Sequence, residues 1–138
     1  MEQSAELKEH MLRAYEAIAK GDISSLERHL SRQDGVLVIG TDPQEWWTGH
    51  SSIIRVFKAQ IDELGGGIPI VAGDLQAYSE GTIGWVADRP KFRLPDDTEI
   101  PCRVTAVFHK EGDGWKLVQD HLSIGVRNEE VFGKKLPV

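Results

Sequence analysis

The chain has 138 residues, 40% apolar and 28% charged, with 16 Lys and Arg against 22 Asp and Glu. That is the size of one ordinary domain with enough apolar material for a core, which argues against wholesale disorder and for a single domain over 1–138. A net charge of -6 is unsuited to gripping nucleic acid or an anionic membrane. The lone cysteine, Cys102, permits neither an intrachain disulfide nor a cysteine-built zinc site, and reads as a small buried hydrophobe.

The opening segment MEQSAELKEHMLRAYEAIAK mixes acids and bases throughout, unlike a signal peptide, and no window offers the roughly 18 apolar residues of a membrane span. A cytoplasmic protein is therefore expected. Leu7, Met11, Ala14, Tyr15 and Ile18 recur at spacings of three and four, the stripe of an amphipathic helix. Gly21 suits the left-handed turn that ends it, and Asp22 caps a second helix running to about Leu30. Val36 to Ile39 is a β-branched strand running into a turn at Gly40-Thr41-Asp42-Pro43. From Thr48 or Gly49 a third helix carries Ile53, Ile54, Phe57, Ile61 and Leu64 at helical spacing until Gly65-Gly66-Gly67 stops it.

The period then changes to two. Ile70–Tyr78 and Thr82–Asp88 are predicted strands about a Glu80-Gly81 turn, and Arg89 to Asp97 is a loop or frayed hairpin end. Ile100 to His109 forms a long strand, Glu111-Gly112-Asp113-Gly114 supplies hairpin chemistry, and Trp115 to Val126 is the last strand. Strict alternation puts Trp115, Leu117, Gln119, His121 and Ser123 on one side and Lys116, Val118, Asp120, Leu122 and Ile124 on the other. Gly73 and Gly84 mark places where a bent sheet needs no side chain. The order predicts an α+β fold, three N-terminal helices on one face of a curved antiparallel sheet. Apolar residues on both faces of the last strands leave a surplus, with Leu122, Ile124, Val126, Val104, Ala106 and Phe108 as candidates, and a homodimer through the sheet would cover it.

This order of elements resembles the nuclear transport factor 2-like superfamily, and within it the SnoaL-like, ketosteroid-isomerase-like group. The segments that carry the resemblance are Ile39 to Gly49, Glu80 to Trp85, Arg103-Val104-Thr105, and Trp115 to Ser123 with its His121-x-Ser123 ending. It implies a cone-like α+β barrel with a cavity at its open end, usually paired as a dimer. It specifies chemistry weakly, because the superfamily mixes isomerases, cyclases, dehydratases and non-catalytic modules.

His121 is the foremost candidate for chemistry, because imidazole gives or takes a proton near neutral pH. The resemblance implies that its side faces the cavity, with Gln119 and Ser123 beside it and Arg103 and Thr105 projecting from the neighbouring strand. Arg103 would then hold a carboxylate or enolate oxygen. Asp120 cannot join His121 in one site, since adjacent strand residues point oppositely unless a bulge intervenes. Asp74 is the other carboxylate considered, and also reads as a solvated residue. Trp46, Trp47 and Trp85 are candidate apolar walls, while Trp115 reads as structural. Glu45, His50 and His121 lack the spacing of a metal site, and His10, His29 and His109 read as surface residues.

The expectation is a protein that binds a small hydrophobic or anionic ligand and moves a proton on it with His121 and Arg103. Such chemistry needs no cofactor. The alternative is a non-catalytic ligand-binding or oligomerisation module.

Overall fold

The computed structural model of the chain describes residues 1–112 and 114–138; Asp113 of the expected hairpin turn lies outside them. In chain order it contains β1 (Glu2–Gln3), α1 (Ala5–Lys20), α2 (Ile23–His29), β2 (Leu37–Ile39), β3 (Trp46–Thr48), α3 (His50–Glu63) and β4 (Ile70–Val71). There follow β5 (Gln76–Glu80), β6 (Ile83–Asp88), β7 (Lys91–Arg93), β8 (Glu99–Pro101), β9 (Arg103–Glu111), β10 (Gly114–Ser123) and α4 (Asn128–Phe132).

Local chemistry sets the helix ends. Ser4 accepts the Leu7 N–H at 3.1 Å to start α1, and Asp22 accepts the Ser25 N–H at 3.1 Å to start α2. Between them Gly21 takes φ 66°, the left-handed conformation that ends α1, with the Gly66 carbonyl oxygen 2.1 Å from where a Cβ would stand. The α1 stripe of Leu7, Met11, Ala14 and Tyr15 is buried, as are Ile53, Ile54 and Ile61 of α3.

The main sheet has the order β1-β5-β6-β9-β10-β2-β3, antiparallel except where β2 runs parallel to β10, and it curves without closing. A smaller sheet, β4-β7-β8, stands apart from it. The expected strand Ile70–Tyr78 is thereby split between two sheets. Its corner is tied by Asp88, a buried carboxylate that accepts the Gly73 N–H at 3.1 Å, the Arg89 N–H at 2.8 Å and the Tyr15 hydroxyl at 3.0 Å. The long strand from Ile100 breaks for a related reason. Cys102, buried as expected, gives its N–H to the Pro90 carbonyl at 2.9 Å, so β8 turns away to pair with β7. Trp46–Thr48, expected only to lead from the turn into the third helix, instead forms the edge strand β3 beside β2.

Two expectations about surfaces are overturned. Val104, Ala106 and Phe108 lie on the inner, helix-covered face, and Phe108 is fully buried, so they supply no outer docking surface. His10 and His29 are half-buried where the sequence suggested surface positions. Their rings stack 4.5 Å apart where α1 meets α2, and both stand edge-on to Phe108. Burial above all, with Arg13 and Lys116 nearby, lowers their pKa values to about 4 for His10 and about 3 for His29. His109 is half-buried, with Nδ1 3.5 Å from the Glu111 carboxylate.

Both folded-state values lie below the ordinary histidine value of about 6.5, so the unfolded chain binds more protons between the two. The stability that depends on these two histidines is therefore expected to be complete above about pH 6.5 and to fall as the pH drops towards 4. His29→Gln is expected to flatten that fall, read as the change in urea midpoint between mildly acidic and neutral buffer. Equal changes in variant and wild type would overturn the assignment.

Candidate functional site

The last strand begins in the expected phase, with Trp115 and Leu117 buried on the inner face. The ladder with β9 then slips. Leu117 stands opposite Phe108 and Gln119 opposite Val107, which leaves Val118 without a partner. This β-bulge turns over everything beyond it. Asp120 sits opposite Ala106 on one side and Val38 on the other, both inner-face residues. His121 sits opposite Thr105 and Ile39, and is exposed on the outer face.

The inward placement expected for His121 is thus corrected, and the others of its set go with it. Arg103, Thr105 and Gln119 are exposed on the outer face, with Ser123 half-buried opposite Arg103. Trp85 is also outside, half-buried and stacked on Tyr78 at 4.8 Å. Trp46 is 63% exposed and borders a separate surface depression. Of the three candidate indole walls, only Trp47 reaches the cavity of the cone.

That cavity measures about 440 Å³ and lies between the inner face, α1, α3 and the smaller sheet. Ile18, Val38, Phe57, Ile61 and Leu122 make its walls, and Trp47 meets Phe57 edge-on at 6.3 Å. Its ionisable lining is wholly acidic among the described residues: Asp120, Glu45 and Glu63. Glu45 is tethered, Gln60 donating to its Oε1 at 3.5 Å.

Asp120 is the one carboxyl on the cavity wall contributed by the sheet. Its Oδ1 is buried and has no hydrogen-bond partner. Burial pushes its pKa up to about 7, against the opposing pull of the His121 backbone N–H. A carboxyl so placed is divided between its two protonation states near neutral pH and can both take and return a proton. Asp74 is exposed, 3.9 Å from Arg89, in keeping with a solvated role. The His50 Nε2 lies 2.9 Å from the Glu27 carbonyl oxygen, tying α3 to α2.

Strict alternation concealed Asp120. A signal for the bulge was present, since the apolar residues of the strand change parity from Trp115 and Leu117 to Leu122 and Ile124. Phe57 entered the sequence reading only as a core residue of its helix; its place in the cavity depends on how α3 lies across the sheet.

Residues 7–127 match the family profile described as a SnoaL-like domain. Among solved structures, the chain is similar to a protein of unknown function from Pseudomonas putida KT2440 described as NTF2-like. The TM-score is 0.78 at 17% identity, covering 96% of this chain and 92% of that one. An uncharacterised protein from Caulobacter vibrioides with a cystatin-like fold gives 0.74 at 10% identity, covering 91% and 92%. A candidate ketosteroid isomerase from Parabacteroides distasonis gives 0.67 at 19% identity, covering 83% and 86%. These likenesses show the fold to be the NTF2-like, cystatin-like one. No curated protein matches the chain. No helix among the described residues is long and apolar enough to cross a membrane.

The folded-state pKa of Asp120 stands above its ordinary value of 3.8, so folding is penalised as the pH rises through about 7. Asp120→Asn is expected to stabilise the protein at about pH 8.5 by up to about 4 kcal/mol, less whatever solvent reaches the cavity, and by less than half as much near pH 5, because the penalty builds up between 3.8 and about 7. Thermal melts at the two pH values check this. A variant that is no more stable at the higher pH would show the carboxyl to be ordinary.

Proposed function

Because the chain belongs to the SnoaL-like domain family and its largely apolar cavity is lined by a carboxyl with one unpartnered oxygen, we propose that it binds a small, largely apolar carbonyl compound there and moves a proton on it, with Asp120 as the acid–base group. The buried, unpartnered Oδ1 of Asp120 is the observation that carries this reading. The ionised carboxylate would take a proton from carbon next to the carbonyl. The resulting acid would return it to another carbon, as an isomerisation requires. Thr41 and the Gln60 amide line the same cavity and are the neutral hydrogen-bonding groups available to the carbonyl oxygen. Trp47 and Phe57 would flank the apolar body of the ligand.

The expected choice between a neutral and an anionic ligand narrows here. A carboxylate ligand would meet Asp120, Glu45 and Glu63 with no cation among the described lining residues, so a neutral ligand fits better. Arg103 stands outside and stabilises nothing in this cavity. The outer face supports a second element of the reading, pairing with another copy of this chain. It carries the half-buried Tyr78–Trp85 stack beside Val107, and the exposed Trp46 on the edge strand. Val107→Glu is expected to shift the protein to a monomer in sedimentation, and an unchanged mass would remove that element.

The acid–base role is tested by deuterium exchange at the α-carbon of a panel of apolar ketones and enones. The wild-type rate is expected to rise with pH through about 7, as ionisation of the base requires. Asp120→Asn is expected to slow it by about 10²- to 10⁴-fold, while His121→Ala leaves it unchanged. If wild type binds these ligands but exchanges nothing, the protein is a binding module. If Asp120→Asn exchanges at the wild-type rate, the assignment of the base is wrong.

A further inference from the structure

Among the described residues, three buried side-chain nitrogen or oxygen atoms lack a hydrogen-bond partner. One is Asp120 Oδ1; the other two, His10 Nε2 and Trp115 Nε1, belong to residues lining a second pocket that shares no lining residue with the cone cavity. This pocket, about 320 Å³, lies between α1, α2 and the start of β10. Its character is opposite to that of the cone cavity. Arg13, Arg28 and Lys116 border it, and no acidic side chain does among the described lining residues. Arg13 is shared with Glu9 at 3.7 Å, and Arg28 is steadied by the Ser25 hydroxyl, which accepts from its guanidinium at 3.1 Å.

The indole N–H of Trp115 is a donor only, on a side chain just 4% exposed, and leaving it unpaired costs about 1–3 kcal/mol. Neutral imidazole adds one N–H per ring, and the His10–His29 stack holds both rings in place against Phe108. Two buried ring nitrogens able to donate, under a rim of three cations, form a cradle for negative oxygen. A metal cation is disfavoured here by that same rim.

We propose that this second pocket binds an oxyanion of the phosphate class, held by the ring N–H groups of His10 and Trp115 and balanced by Arg13, Arg28 and Lys116. The volume leaves room beyond one phosphate group, so a phosphate monoester fits as well as the free ion. The bound negative charge would also offset the Arg13 and Lys116 repulsion that helps keep the two imidazoles neutral, so it would draw protons onto them. The proposal does not depend on the chemistry assigned to Asp120.

Inorganic phosphate and phenyl phosphate, each titrated into the ¹⁵N-labelled full chain, provide the test. The Trp115 indole N–H resonance is expected to move saturably in the millimolar range, and the ring signals of His10 and His29 to titrate at higher pH. Whichever probe binds tighter identifies the free or the esterified form as the natural one. Lys116→Met and Arg28→Gln are each expected to weaken binding about ten-fold, the loss of one charge-assisted contact. Trp115→Phe, which keeps the packing, should weaken it comparably when followed by the histidine signals. No saturable shift beyond that of sodium chloride at matched ionic strength would overturn the proposal, as would wild-type affinity in both charge variants.

Discussion

Val118 is the residue on which the functional geometry turns. It has no partner on β9, and the slip it causes exchanges the two faces of the last strand over its second half. Before it, Trp115 and Leu117 face the helices; after it, Asp120 and Leu122 do, and His121 is turned outward. A β-bulge inserts one residue and bends the strand, and the period-two rule then reverses sense. The cavity gains a carboxyl, and the outer face gains an imidazole, through the same event.

Two inner-face aspartates show what such placement means in different surroundings. Asp88 is buried among three donors, the Tyr15 hydroxyl and the Gly73 and Arg89 N–H groups, and its carboxylate ties a corner of the fold. Asp120 has an Oδ1 with no donor at all and faces open apolar space. The first arrangement satisfies the charge locally and holds backbone in place. The second leaves the charge expensive, which pushes the pKa towards neutrality and keeps the group ready to exchange a proton.

The same contrast orders the whole molecule. Groups that hold the fold find partners: Ser4 and Asp22 cap helices, and His50 joins α3 to α2. The buried polar atoms without partners gather at two hollows, one lined by acids and one rimmed by bases. Their charges are opposite and they share no lining residue, so each selects ligands the other would repel.

Local chemistry was enough to read the α+β class, the Asp22 cap, the Gly21 stop and the helical stripes, because each depends on neighbours within a few positions. The resemblance carried by Ile39–Gly49 and Trp115–Ser123 likewise led to the right fold. The splitting of Ile70–Tyr78, the break at Cys102 and the packing of His10 and His29 against Phe108 were hidden, because Asp88, Pro90 and Phe108 reach them from distant parts of the chain. The exchange of Asp120 for His121 belongs to the same class. Strand alternation is a local rule, but where an extra residue is absorbed depends on pairing with β9, and only the assembled sheet decides it.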